Sequence, residues 1–117
     1  MNETIKRTFH WMEEIHHELQ LPGVSIGTFM NRPSLRHRGK SIFGSKDGAS
    51  LVVHCPLDVK QLLLEVEPAI YFQTDHYSGY PALLIRPENV DKDRLRERIV
   101  AAWRMNATKS QISEYEA

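Results

Sequence analysis

The chain has 117 residues, 41% of them hydrophobic and 26% charged, which suits one globular core and is too short for two. Fifteen Lys and Arg balance fifteen Asp and Glu, so there is no overall basic excess of the kind that dedicated nucleic-acid domains carry. A lone cysteine, Cys55, excludes an intramolecular disulfide and fits a reducing compartment. The polar first six residues lack a signal-peptide core, and no apolar run approaches the length of a membrane span; the expectation is a cytoplasmic single domain with no membrane association.

Residues 3–20 read as a helix, because Ile5, Phe9, Met12, Ile15 and Leu19 recur at spacings of three and four on one face. Asn2 or Thr4 caps its start, and Pro22-Gly23 ends it. Residues 24–30 read as a strand and Asn31-Arg32-Pro33-Ser34 as a turn. Residues 35–38 form a short strand or an irregular edge. Residues 40–44 and 49–55 make a hairpin closed by Ser45-Lys46-Asp47-Gly48, whose Asp-Gly pair supplies positive φ.

Pro56-Leu57-Asp58 opens a second helix, with Asp58 and Gln61 spaced as a capping box and Leu62, Leu63 and Val66 as its buried stripe. Pro68 stops it. Residues 69–74 and 81–86 are strands joined by a loop rich in His, Tyr, Ser and Gly. Asp91 caps a third helix running to about Met105, with Leu95, Ile99, Ala102 and Trp103 inward. From about residue 107 a polar tail follows, either fraying or forming a short last helix. The order α-β-β-β-α-β-β-α, with hairpin connections, predicts an α+β fold with a mostly antiparallel sheet and helices on one face.

Several stretches resemble the MmcQ/YjbR-like family of small bacterial proteins: Leu21-Pro22-Gly23-Val24, Arg38-Gly39-Lys40-Ser41-Ile42-Phe43, residues 53–56 leading into the second helix, Glu67-Pro68-Ala69-Ile70-Tyr71-Phe72, Asp75-His76-Tyr77-Ser78-Gly79-Tyr80-Pro81, and Ala101-Ala102-Trp103-Arg104. The likeness runs from about Leu19 to Ala107. It implies an α/β sandwich of the kind compared with secretion chaperones and frataxin. It also implies, at most, a DNA-binding role through a double-wing surface, and it brings no catalytic motif.

Four groups of residues could carry chemistry. Arg32, Arg36, Arg38, Lys40 and Lys46 occur without an acid among them. Strand alternation predicts Arg36, Arg38 and Lys40 on one face, opposite His37 and Gly39, where they would track a phosphate backbone with Lys46 as a wing tip. The alternative is a solvated edge strand whose cations discourage aggregation. In the 75–80 loop, His76, Tyr77 and Tyr80 combine a titratable ring with stacking surfaces, or else they serve only to join two strands. His10, Glu14 and His17 share one face of the first helix, but one Glu-x-x-His motif falls short of a carboxylate-bridged metal site, and a polar helix face is the expectation. His54 and Cys55 are neighbours on a strand, point to opposite faces and so form no dyad. Trp103 reads as core, and Trp11 as a partly exposed contact.

The sequence therefore predicts a non-enzymatic protein without cofactor or bound metal. It is either a DNA- or anion-binding module using Arg36, Arg38, Lys40, Lys46, His76, Tyr77 and Tyr80, or a protein-interaction adaptor, dimeric or with a protein partner.

Overall fold

Asn2 Oδ1 accepts from the amide of Ile5 at 2.8 Å and so starts α1 (Glu3–Leu19). In this computed structural model, which describes residues 2–117, Met1 at the head of the polar N-terminus lies outside the described residues. Ile5, Phe9, Met12 and Ile15 of α1 are buried as their spacing predicts, and Gln20 closes the helix in the left-handed region. The elements that follow are β1 (Val24–Phe29), β2 (Arg32–His37), β3 (Lys40–Gly44), β4 (Leu51–His54), α2 (Leu57–Val66), β5 (Tyr71–Phe72), a 3-10 turn (Asp75–Tyr77), β6 (Ala82–Ile85), α3 (Lys92–Asn106) and α4 (Lys109–Glu116).

The fold is α+β. Six antiparallel strands run in the order β1-β2-β3-β4-β6-β5. Leu35, Phe43, Leu51, Val53, Leu83 and Ile85 point to one face and form a single core with α1 and with Leu95, Ile99, Ala102 and Trp103 of α3. The opposite face carries Gly27 and Phe29, then Ser34 and Arg36, then Ser41 and Gly44, then Val52, and then Ala82 and Leu84. Such small and mixed side chains could not hold a second helical layer.

Four strands precede α2, where the sequence pattern counts about three. Arg32-Pro33-Ser34 is strand, and the turn is Met30-Asn31, both at positive φ (52° and 64°) and closed by the Phe29–Arg32 pair. That is the backbone of a two-residue hairpin of the I′ kind. In such a hairpin Pro33, opposite Thr28, directs its N–H-lacking nitrogen away from β1, toward a side where β3 pairing has not begun. β2 is an interior strand, and β1 is the edge strand on its side of the sheet.

Between Leu35–Phe43 and Arg36–Ser41 the β2–β3 register slips by one, leaving Ile42 as a bulge. Ile42 and Phe43 are both buried in the core, which puts both Ser41 and Gly44 on the open face.

α2 also departs from expectation. Pro56 is the N-cap and makes no side-chain cap bond, while Asp58 accepts only from Val59. Val59, Leu63 and Leu64 lean on the core, whereas Leu62 and Val66 are exposed. The tail is ordered helix: Thr108 and Gln111 form a capping box, Tyr115 meets the Trp103 ring edge-on, and Gln111 Oε1 lies 2.8 Å from buried His37 Nε2. No described helix is long and apolar enough to cross a membrane.

Left-handed backbone at a non-glycine residue costs about 1–3 kcal/mol, and Met30 bears it with no side chain suited to it. The Met30→Asn, Asn31→Gly double variant should stabilise the protein by about 1 kcal/mol, read as a higher urea midpoint with an unchanged slope. An equal or lower midpoint would show that the hairpin carries no such strain.

Candidate functional site

The loop between β5 and β6 folds back across the open sheet face. Thr74 leads into the 3-10 turn, and Ser78-Gly79 reverses the chain, with Gly79 at φ 81°. What holds the loop is Lys60, on the inward side of α2 and only 3% exposed. Its Nζ donates to the carbonyls of Tyr77 (2.7 Å) and Tyr80 (2.9 Å). Burial pushes its ammonium below the ordinary lysine value. A charged donor to two loop carbonyls is stronger than a neutral one, so the loop is fixed by its main chain and its side chains are free to face outward.

Pinned this way, the loop roofs a cavity of about 320 Å³. Gly44, Val52 and Ala82 form its floor, Phe29, Ser41 and His54 its sides, and His76, Tyr77, Tyr80 and Pro81 its rim. His76 meets Tyr77 edge-on at 4.8 Å and lies nearly parallel to Tyr80, at 6.3 Å and 16°. Tyr80 is 60% exposed. A second hollow of about 200 Å³ lies on the other side of His76 and Tyr77, against Lys46, Asp47, Ser50, Thr74 and Leu84. The two make one groove interrupted by the loop.

His54 is the polar group on the cavity wall. The amide of Asn106, near the end of α3, lies 3.1 Å from its Nδ1. With the Asn106 N–H₂ donating, Nδ1 accepts and Nε2 carries the proton, available as a donor. Burial first, and the Lys40 charge second, hold its pKa below the ordinary histidine value, against the Asn106 bond. Cys55 beside it points the other way into the core, where burial raises its thiol pKa despite the charge and hydrogen bond of Arg98.

The basic residues do not share one face. Arg36 lies on the open face across Gly27, where an added Cβ would meet its Cδ at 2.6 Å, and its guanidinium donates to the carbonyls of Thr28 and Gly39. Arg32 donates to the carbonyls of Met30 (3.2 Å) and Lys46 (3.0 Å), clipping the β1–β2 turn to the β3–β4 loop. Arg38 is not in the strand at all. With Gly39 it forms a two-residue turn at positive φ (53° and 80°) closed by His37–Lys40, so Lys40 sits opposite His37 and not beside Arg36. Alternation could not foresee this, because it assumes a strand continuing through the turn.

None of Arg32, Arg36, Arg38, Lys40 or Lys46 forms an ion pair among the described residues. By contrast, Lys92, Arg94, Arg96 and Arg104 all do. Residues 24–46 hold five of the fifteen basic side chains and none of the fifteen acidic ones, leaving ten against fifteen elsewhere. The stretch β1 to β3 is therefore basic within a neutral molecule, and Asp47 follows it in the β3–β4 loop.

Other candidates resolve into structure. His10 faces Glu14 at 3.7 Å, but Glu14 and Glu18 are engaged by Lys92, and Glu18 also by Arg96. Arg86 stacks over Phe72 at 4.3 Å, outside the cavity. Trp11 is half-buried beneath the Arg7 guanidinium at 5.0 Å. Lys60 escaped the sequence pattern, although one signal was present: a lysine beside Val59 and three and four residues before Leu63 and Leu64 sits on the inward side of the helix.

The fold and site together define an α+β domain with one helix-covered and one open sheet face, the open face bearing an aromatic-rimmed cavity within unpaired positive charge. Over 57 residues the chain is 41% identical to uncharacterised proteins of Mycobacterium tuberculosis and Mycobacterium bovis, a match covering 49% of this chain and 44% of each relative. The match thus spans less than half the length of the curated relatives. No family model matches the chain, and no solved structure does.

Two predictions follow from this geometry. Lys60→Met should cost roughly 1–3 kcal/mol, because the Tyr80 carbonyl loses its charged donor and the Tyr77 carbonyl keeps only the Tyr80 amide, and should speed hydrogen exchange selectively in residues 75–80; exchange unchanged there would show that the loop is held otherwise. Because the folded pKa of His54 is lowered, the unfolded chain takes up the proton first, so stability is lost as pH falls below 6.5. His16, lowered by burial and by His17, adds to this loss. His54→Gln should therefore flatten, without abolishing, the fall in melting temperature below pH 6.5, and an unaltered pH profile would count against it.

Proposed function

We propose that the protein is a small non-enzymatic DNA-binding module whose ligand lies across the open sheet face. The observation that carries this reading is the set of cations without an ion pair on and beside that face: Arg32 and Arg36 on β2, Lys46 at the groove next to Asp47, and Arg38 and Lys40 at the β2–β3 hairpin. Unpaired cations around a groove attract a polyanion even when the net charge is zero, because screening confines the interaction to about 8–10 Å. The resemblance to MmcQ/YjbR-like proteins, with the wing-like hairpin surface it implies, supports the same reading. The histidine and tyrosines on the rim add shape and stacking surfaces.

A second reading, a protein-interaction adaptor, draws on different features. Leu57, Leu62 and Val66 are exposed on and beside one helix, α2, and β1 presents an unpaired edge whose residues, Val-Ser-Ile-Gly-Thr-Phe, carry no charge. An edge without charge or proline can accept another strand.

Fluorescence anisotropy with labelled DNA, titrated from low to physiological salt, separates the two. Binding should weaken steeply with salt. The Arg36→Gln, Lys46→Gln double variant should lower the slope of log K against log salt by about 1.4–1.8, near 0.7–0.9 per lost phosphate contact. An unchanged slope would remove the open face from the interface, and no binding at low salt would leave the adaptor.

A further inference from the structure

We infer that the cavity under the 75–80 loop is a seat for an unpaired nucleobase, so that the module binds single strands in preference to duplex. This rests on the DNA-binding reading and names the form of nucleic acid the site takes. Three observations converge on it.

The first is size and shape. At about 320 Å³ the cavity admits a planar ring system but no helix or duplex, and its volume falls at the small end of ligand pockets. Its floor of Gly44, Val52 and Ala82 is smooth and apolar.

The second is the rim. His76 and Tyr80 present nearly parallel faces, 16° apart, and Tyr80 is 60% exposed. Flat rings beside an apolar slot give an unstacked base what it lost on leaving its neighbours, and stacking of this kind tolerates any base. A base within a duplex already has its faces covered and would have to flip out first.

The third is charge placement. Lys46 and Arg32 lie toward one end of the groove, Lys46 next to Asp47, whereas Lys40 pairs opposite buried His37. A phosphate on that side of a seated base would meet Lys46 and Arg32. The Lys60 tether uses main-chain carbonyls only, so the rim rings are positioned before any ligand arrives.

The test compares labelled oligothymidylate, oligouridylate and a thymidylate–adenylate duplex of equal length, over the same series of salt concentrations, with thymidine monophosphate as competitor. The single strands should bind roughly ten-fold or more tightly than the duplex. His76→Ala with Tyr80→Ala should weaken single-strand binding about ten-fold or more while leaving its salt slope and the duplex affinity unchanged. Both side chains are exposed and the Lys60 bonds survive their loss, so the variant should keep the wild-type melting temperature. Preference between the thymidylate and uridylate strands assigns DNA or RNA, and competition by the mononucleotide at strand-like affinity would make the ligand a free nucleotide and overturn the inference. Equal binding of duplex and single strand, or a double variant that binds as before, would also overturn it and leave the basic-surface reading standing. Failure of every nucleic acid to bind would end both.

Discussion

Trp103 is fully buried, donates its indole N–H to the carbonyl of Pro22 at 2.8 Å and lies 5.1 Å from the ring of Tyr115. Through one side chain, α3 is fastened to the turn that ends α1 and to the helix that closes the chain. The ring lies in a core shared with Ile15, Leu21 and Ile99. This contact gathers α1, α3 and α4 on the same side of the sheet, and α2 leans on the same core through Val59, Leu63 and Leu64. The open face is thus a consequence of where the apolar side chains of the helices point. A sheet with one face uncovered must make that face tolerable to water, which the glycines, serines and arginines of β1, β2 and β3 do.

How much of this was legible depends on the kind of signal. The stripes of α1 and α3 were, because helical periodicity is read over many residues and each stripe buries what it predicts. The class of sheet followed from the hairpin connections. The failures were local and each has a cause. Arg32-Pro33-Ser34 has turn-forming composition, yet the turn lies two residues earlier, where Met30 accepts positive φ that its side chain does not favour. The bulge at Ile42 breaks the two-residue alternation, so pattern alone would place Ser41 with Phe43, whereas the structure places it with Gly44. In α2 the leucines run consecutively, so spacing could not choose the inward side, and the choice fell to Val59, Leu63 and Leu64.

The candidate site was half visible for the same reason. His76, Tyr77 and Tyr80 were identifiable as a cluster within one short loop and are brought together around one cavity. The basic run was identifiable as composition, but its geometry was not. Arg36 is on the open face, Arg38 is in a turn and Lys40 is across from His37. What survives is not a row of charges on a strand but a stretch of chain, residues 24–46, without acids, followed at once by Asp47 at the groove. Elsewhere part of the basic charge is paired: α3 spends Lys92 and Arg96 on Glu14 and Glu18 of α1. Exposed pairs of this sort add little stability, and their main effect here is to neutralise the helical side. A chain with no net charge therefore keeps a positive face, which a count of charges could not reveal.

The cavity finally depends on a residue that looks out of place. A lysine on the inward side of α2 should cost stability when buried, and its lowered pKa records that cost. The cost is offset by the bonds to two loop carbonyls, that of Tyr80 and that of Tyr77, which also accepts from the amide of Tyr80 at 3.0 Å. A hydrophobic residue at position 60 would pack against the core more cheaply but would leave the loop without an anchor. If the loop only joined two strands, a shorter connection would do so without a buried charge. The cost is intelligible if the loop's outward side chains, above all His76 and Tyr80, need a fixed position over the open face, and that favours a site where something planar is held over a plain connection.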